Sequence, residues 1–256
     1  MLILSPRRYK HNGRANRLQM GLSNKIARLG IFIFIALSLS GCEWLGFRSW
    51  TWNQKLTVTV DTPNGPVSGS SVTEVGVTIP PEWWGVGDFK GASSSYVSGE
   101  GVVVEVSEGK YLFALLYGHD TAYRAFALPA TKTKTTGNVF QEYDRLERLR
   151  ATRSLKPEWY PMLLASTNDI DRGDFEEVGP ANFSTVFGPG YRLRSIDISI
   201  TDEDVTHGVL VKYLGWWENY KDANGNKKIP RYRNVSPRGW DSLGELHFWS
   251  RKNIPW

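Results

Sequence analysis

The chain has 256 residues and a formal net charge of +5. Residues 1–41 hold seven of the 31 Lys and Arg residues and none of the 26 Asp and Glu residues, so the rest of the chain has 24 basic and 26 acidic residues. That balance gives no electrostatic footprint for nucleic-acid binding. Residues 42–256 are enough for one domain with a substantial core, or for two small domains.

An apolar run, Ile31–Leu39, ends just before the only cysteine of the chain. Two basic residues, Lys25 and Arg28, precede it. The run is about half the ~20 residues that a membrane-spanning helix needs. Basic residues, a short apolar run and small residues in this order predict a secretory signal peptide. A short transmembrane or core helix is the alternative interpretation.

The run closes on Leu39-Ser40-Gly41-Cys42, which resembles the lipobox of bacterial lipoproteins. The resemblance implies cleavage between Gly41 and Cys42 and a lipid attached to the Cys42 thiol. Two or more acyl chains hold a protein stably on a membrane. Because Glu43 rather than aspartate follows the cysteine, the resemblance further implies an outer-membrane anchor facing the periplasm.

These features predict three regions. Residues 1–41 are the signal peptide, with Met20 favoured over Met1 as the translation start because it gives a leader of ordinary size. Residues 42–54 are the lipidated N-terminus and an aromatic-rich tether. Residues 55–256 form a single β-rich domain, and acylation of the only cysteine leaves no intramolecular disulfide.

Alternating apolar residues predict the strands. Leu56–Val60 and the segment after the turn Thr62-Pro63-Asn64-Gly65 form a first hairpin, since Asn-Gly suits tight turns. Residues 102–106 and 111–116 form a second, well-buried hairpin. Residues 191–201 form a strand whose apolar phase changes near Ser195, which predicts a β-bulge.

Residues 138–155 predict one long helix, with Asn138 as its cap and an apolar stripe at a spacing of three. The fold class is therefore α+β, mainly antiparallel sheet built from hairpins, with this helix packed on one sheet face. Arg145 to Arg153 form either an anion-binding face or, more in keeping with the interspersed acids, a solvated face. Gly91–Gly99 is predicted to be a Ser/Gly loop and residues 209–214 a strand.

Two tryptophan pairs are candidate binding residues: Trp83-Trp84 and Trp216-Trp217. Neighbouring side chains on a strand point to opposite faces, so one ring of each pair can be exposed. An exposed ring could stack on a sugar or contact a protein or the membrane surface. The favoured interpretation is that these rings are ordinary core residues, since tryptophan is highly buried on average.

The sequence predicts no catalytic residue, no metal site and no cofactor. His119 and His207 are the basis of an alternative hypothesis, a periplasmic hydrolase, because a catalytic triad is joined only in space. A loop or packing role is the favoured interpretation of both histidines.

Two segments, 62–75 and 187–193, resemble an uncharacterised family of proteobacterial proteins, many of them envelope-associated. That family has no assigned activity, so the resemblance implies no catalytic residue. The function predicted is a lipid-anchored envelope protein that presents a binding or structural domain to a protein or glycan partner. A phage- or island-borne lipoprotein that alters entry at the cell surface is a narrower alternative.

Overall fold

The structure is a computed structural model that describes residues 46–81, 83–84, 93–116, 120–127, 136–166, 174–219, 224, 231–233 and 248. The chain divides into two compact units, residues 1–48 with 80–90, and residues 49–79 with 91–256. None of the helices within the described ranges is both long and apolar enough to cross a bilayer.

The described strands are β1 Arg48–Thr62, β2 Gly65–Ile79, β3 Ser93–Ser98, β4 Val102–Ser107, β5 Lys110–Ala114, β6 Ala151–Ser154, β7 Leu163–Ser166, β8 Asp174–Val178, β9 Arg192–Thr201 and β10 Arg231–Arg233. The α-helices are α1 Thr121–Phe126, α2 Thr136–Arg148, α3 Phe183–Phe187 and α4 Val211–Leu214. Short 3-10 helices span Pro157–Trp159 and Gly215–Asn219. The protein is mainly antiparallel β-sheet with a few short helices.

The first sheet has the strand order β3-β2-β1-β9-β6. The predicted first hairpin forms β1 and β2, joined by the predicted Thr62–Gly65 turn. In that turn Gly65 has φ +109°, a conformation that favours glycine. The side chains alternate along β9, where Ile196, Ile198 and Ile200 are buried and the residues between them are partly exposed.

The predicted bulge in β9 is confirmed. Thr59 pairs with Ser195, whereas the next residue, Val60, pairs with Leu193. Arg194 is therefore the extra residue, and the apolar phase of the strand changes there as the sequence indicated.

The second sheet has the strand order β10-β8-β7-β5-β4, antiparallel except for the parallel pair of β8 and β10. It is buried on both faces: Leu112 and Ala114 pack in one apolar cluster, and Phe113 and Leu115 in another. This explains the near-continuous apolar sequence of the predicted second hairpin.

The main core lies between the two sheets. It takes Val58, Ile196 and Ile198 from the first sheet and Leu112 and Leu163 from the second. The opposite face of the second sheet is covered by a smaller cluster that includes Leu210 and Leu214, both with no exposed surface. A spacing of four puts these two leucines on one side of a helical turn, so α4 forms where the sequence predicted a strand.

The predicted long helix is wrong. Helix α2 starts at Thr136 rather than after an Asn138 cap, and it ends at Arg148. Residues Ala151–Ser154 instead form β6, which pairs with β9. Edge pairing gives the backbone of β6 hydrogen bonds that the helical spacing of the sequence does not reveal.

Strand β1 begins at Arg48, which corrects the predicted boundary at residue 55. Trp50 and Trp52, assigned to the tether, are each only 4 % exposed and belong to the main core. Strand β3 occupies most of the predicted Ser/Gly loop because the serine backbone pairs with β2.

Candidate functional site

The predicted pair Trp83-Trp84 is exposed, at 64 % and 50 %. Neither ring lies on a strand. The backbone N–H of Trp84 donates to the Pro81 oxygen at 2.9 Å, which closes a turn directly after β2. Phe47 packs against both rings, with centroids 6.5 Å from Trp83 and 5.1 Å from Trp84. The sequence predicted that one ring of this pair could be exposed; the structure exposes both, and they lie in a turn rather than on a strand.

The pair Trp216-Trp217 has a different environment. Both residues lie in the Gly215–Asn219 3-10 helix, and their rings stack at 6.0 Å with an angle of 10°. Trp217 is 2 % exposed and its ring contacts Phe248 at 5.3 Å. The prediction that these neighbours point to opposite faces is wrong, and Trp217 is a core residue rather than a binding residue.

Two of the arginines between Arg145 and Arg153 have partners within the chain. Arg145 bonds to Glu142 and to the Phe126 oxygen. Arg153 donates to the Ala125 oxygen at 2.8 Å, and its guanidinium lies 5.5 Å from the Phe126 ring centroid. These two side chains serve the local structure, and the choice between an anion-binding and a solvated face stays a prediction.

Gly41, Cys42 and His119 lie outside the described residues. His207 lies in the exposed segment between β9 and α4. Two residues later, the Val209 N–H donates to the buried Glu100 carboxylate at 2.7 Å. Among the described residues, no group of three or more His, Cys, Asp or Glu side chains could hold a metal ion.

Glu100 borders an enclosed polar space between the two sheets. Gln54, Ser71, Thr73 and Thr121 also line it, and the Ser71 hydroxyl donates to the Glu100 backbone oxygen at 2.6 Å. The volume open to a water-sized molecule is about 20 Å³, roughly what one water needs. This space is too small for a substrate. The Ser71 and Thr73 hydroxyls donate to the backbone oxygens of Glu100 and Gln54.

An opening with a charged wall lies at the tip of the first hairpin. It is an open groove of about 600 Å³ between the hairpin tip (Asp61–Pro66), α3 and the start of β9, here called the tip groove. Its apolar wall includes Pro66, Pro180 and Tyr191. A groove of this volume is within the range of ligand sites.

Two arginines in the tip groove share one carboxylate. Arg192 Nε donates to Asp61 Oδ2 at 2.6 Å, and Arg194 Nη2 lies 2.5 Å from Asp61 Oδ1. Arg192 lies directly opposite Asp61 in the pairing of β9 with β1, and Arg194 lies two positions further along β9. Residues two apart on a strand share a face, and a diagonal neighbour across the sheet is within reach of a long side chain. The hydrogen bond from Arg192, and then that from Arg194, holds the pKa of Asp61 below its ordinary value of 3.8.

The two cations exceed the one anion, so this wall of the tip groove carries an excess positive charge. The arginine side chains are 78 % and 51 % exposed, while Asp61 is 14 % exposed. Each guanidinium has five N–H donors, and Asp61 occupies only part of that capacity. The remaining donors are accessible to a carboxylate or phosphate, which arginine binds in a bidentate manner.

The tip groove has a rigid frame. The Thr62 hydroxyl donates to the Gly65 oxygen at 2.6 Å and accepts the Asn64 N–H at 3.2 Å. Gly190 has φ +85°, and a Cβ there would lie 3.1 Å from the Pro63 ring. The loop before β9 is thus packed directly against the hairpin, which positions the arginines beforehand.

The sequence did not identify the tip groove, although two signals pointed there. The phase change near Ser195 marked the bulge at Arg194, which is one of the two arginines. The two segments that carry the family resemblance, 62–75 and 187–193, are also the ones that meet at Pro63 and Gly190. The pairing of Asp61 with Arg192 could not be read locally, because the two residues are 131 positions apart.

No family model, curated protein or solved structure matches this chain. The resemblance to the envelope-associated family therefore stays a prediction.

Proposed function

We propose that this chain is a lipid-anchored protein of the bacterial cell envelope whose folded part binds a partner. The anchor proposal is carried by Leu39-Ser40-Gly41-Cys42 at the end of a short apolar run. The proposed location is the outer membrane, facing the periplasm. Membrane fractionation tests the anchor: the unchanged chain stays with the membranes after a high-salt wash, and Cys42→Ala is released.

The proposed binding site is the tip groove, and the observation that supports it is the pair of arginines on Asp61. Open guanidinium donors beside the apolar surfaces of Tyr191 and Pro66 suit an anionic partner, either a glycan or a protein of the envelope. A partner of this kind is held by charge-assisted hydrogen bonds at one end and apolar contact at the other. Binding should therefore weaken as the salt concentration rises.

Site-specific cross-linking in intact cells tests the binding site. Ser184 is exposed and lines the tip groove, so a photo-reactive amino acid at this position should capture the bound partner. The matched control places the same group at Thr152, which is exposed on β6. A product from both positions, or from neither, would contradict the proposal.

A second control separates the charge of the tip groove from total charge. Replacing Arg192 and Arg194 with alanine should remove the cross-link from Ser184. Arg148→Ala alters an exposed arginine on α2 and should leave the cross-link intact. The mobility of the product after protease or glycosidase treatment tells a protein partner from a glycan.

The alternative function is a periplasmic hydrolase. One observation favours it: the segment that carries His207 donates a hydrogen bond to Glu100, and Thr121, two residues after His119, lines the same enclosed space. The small volume of that space argues against it. Hydrolysis of a model ester or glycoside by the purified protein, lost in both His119→Ala and His207→Ala, would replace the binding proposal.

A further inference from the structure

The exposed aromatic cluster of Phe47, Trp83 and Trp84 lies close in sequence to the proposed lipid attachment. The two tryptophans are the most exposed large apolar side chains among the described residues; the next is Val139 at 38 %. The rings of Trp83 and Trp84 meet edge to face at 5.7 Å, and Phe47 packs edge on against both. The three rings form one patch rather than scattered exposed residues.

Backbone geometry holds this patch in shape. Gly46 has φ +84°, and a Cβ there would lie 3.1 Å from the Pro81 side chain. The N-terminal segment therefore lies directly on the turn after β2. The Trp84 to Pro81 hydrogen bond at 2.9 Å fixes that turn, and a proline pair ends the strand before it. The rings are presented on a defined support.

The short length of chain between Cys42 and Phe47 favours the membrane surface as the partner of the patch. Phe47 is five positions after Cys42, and a chain of that length spans at most about 18 Å when fully extended. The headgroup region on each side of a bilayer is about 5–7 Å thick. A lipid chain on Cys42 would thus hold the patch within reach of the membrane surface, where tryptophan is enriched because its ring is apolar and its N–H is polar.

We propose that Phe47, Trp83 and Trp84 enter the headgroup region of the membrane that holds acylated Cys42. This inference rests on the proposed lipid anchor and adds a second attachment to it. Acyl chains alone attach only the N-terminus to the membrane. A ring patch beside them would also restrict the orientation of the unit that contains Phe47, Trp83 and Trp84 at the membrane surface.

Quenching by brominated lipids tests the contact. The full acylated protein is placed in phosphatidylethanolamine and phosphatidylglycerol vesicles with bromine on the upper acyl carbons. Bromine quenches tryptophan only at short range, so rings at the interface lose emission. Replacing Trp83 and Trp84 together with phenylalanine keeps apolar rings in the patch and should lower the quenched emission, because it removes the tryptophans expected at the interface.

Trp159→Phe is the matched control, because Trp159 is a half-buried tryptophan on a different segment. This control should leave the quenched emission unchanged. Equal quenching in the double variant and the unchanged protein would overturn the inference. Failure of the brominated lipid to quench the tryptophan emission of the unchanged protein would also overturn it. The mass of the N-terminal peptide from the same sample separates the two proposals. If Cys42 is acylated but the double variant is quenched as much as the unchanged protein, only the membrane contact of the patch fails. If Cys42 is unmodified, the lipid anchor itself fails.

Discussion

Replacing Trp50 tests whether the segment after Gly46 belongs to the folded core. Its ring is 4 % exposed and lies 5.9 Å from Phe140 and 5.2 Å from Tyr143. Its indole N–H donates to Asp144 at 2.8 Å. Trp50→Ala should lower the free energy of unfolding by about 3–5 kcal/mol, the usual cost of deleting a buried aromatic side chain. For a domain of this size, that corresponds to roughly 6–20 °C in Tm.

The measurement is urea unfolding of the Cys42→Ala chain, followed by circular dichroism. Trp83→Ala is the matched control: it also removes a tryptophan, but one that is 64 % exposed, and should change the unfolding free energy by no more than about 0.5 kcal/mol. Trp50→Phe keeps an aromatic ring and loses the hydrogen bond, with an expected cost of about 1–2 kcal/mol. Similar losses for Trp50→Ala and Trp83→Ala would refute the placement of Trp50 in the core.

Three further predictions concern the sheets and the tip groove. Ile198→Ala, at 1 % exposure between the sheets, should cost about 2–5 kcal/mol in urea unfolding, whereas Ser70→Ala on an exposed position should stay within about 0.5 kcal/mol. Gly190→Ala should lower the Tm more than Gly109→Ala: both glycines have positive φ, but only at Gly190 would the new Cβ meet the hairpin proline, while the space around Gly109 is open. Because its two arginine partners lower the folded pKa of Asp61, that ion pair stabilises the protein above about pH 4 and is lost as the pH falls through the folded pKa. Asp61→Asn should therefore lower the Tm at neutral pH and reduce the fall in Tm on acidification; an unchanged acid profile would contradict the pairing.

Local sequence rules predicted the parts of the fold that depend on neighbouring residues. The first hairpin was evident because Asn64-Gly65 suits a tight turn and the flanking residues alternate. The bulge in β9 was evident because the three isoleucines break phase with Leu193. Patterns of this kind depend only on residues close in sequence, so they predict a strand without knowledge of its neighbours in the sheet.

The parts that depend on distant partners could not be predicted. Ala151–Ser154 continues an apparent helical pattern, and only its pairing with β9 makes it a strand. Residues 209–214 are rich in β-branched and apolar side chains, yet Leu210 and Leu214 pack as a helical turn on the second sheet. The tip groove also depends on residues far apart in sequence, because the pairing of β1 with β9 is what brings Asp61 next to its two arginines.

The mass of the N-terminal peptide of the membrane-purified protein tests the central claim most directly, with Cys42→Ala as the control. We predict a peptide that begins at Cys42 and carries acyl chains, and a control peptide that lacks them. An unmodified peptide that begins at Met1 or Met20 would contradict the lipid anchor, and the apolar run Ile31–Leu39 would then have to be interpreted as a membrane or core helix.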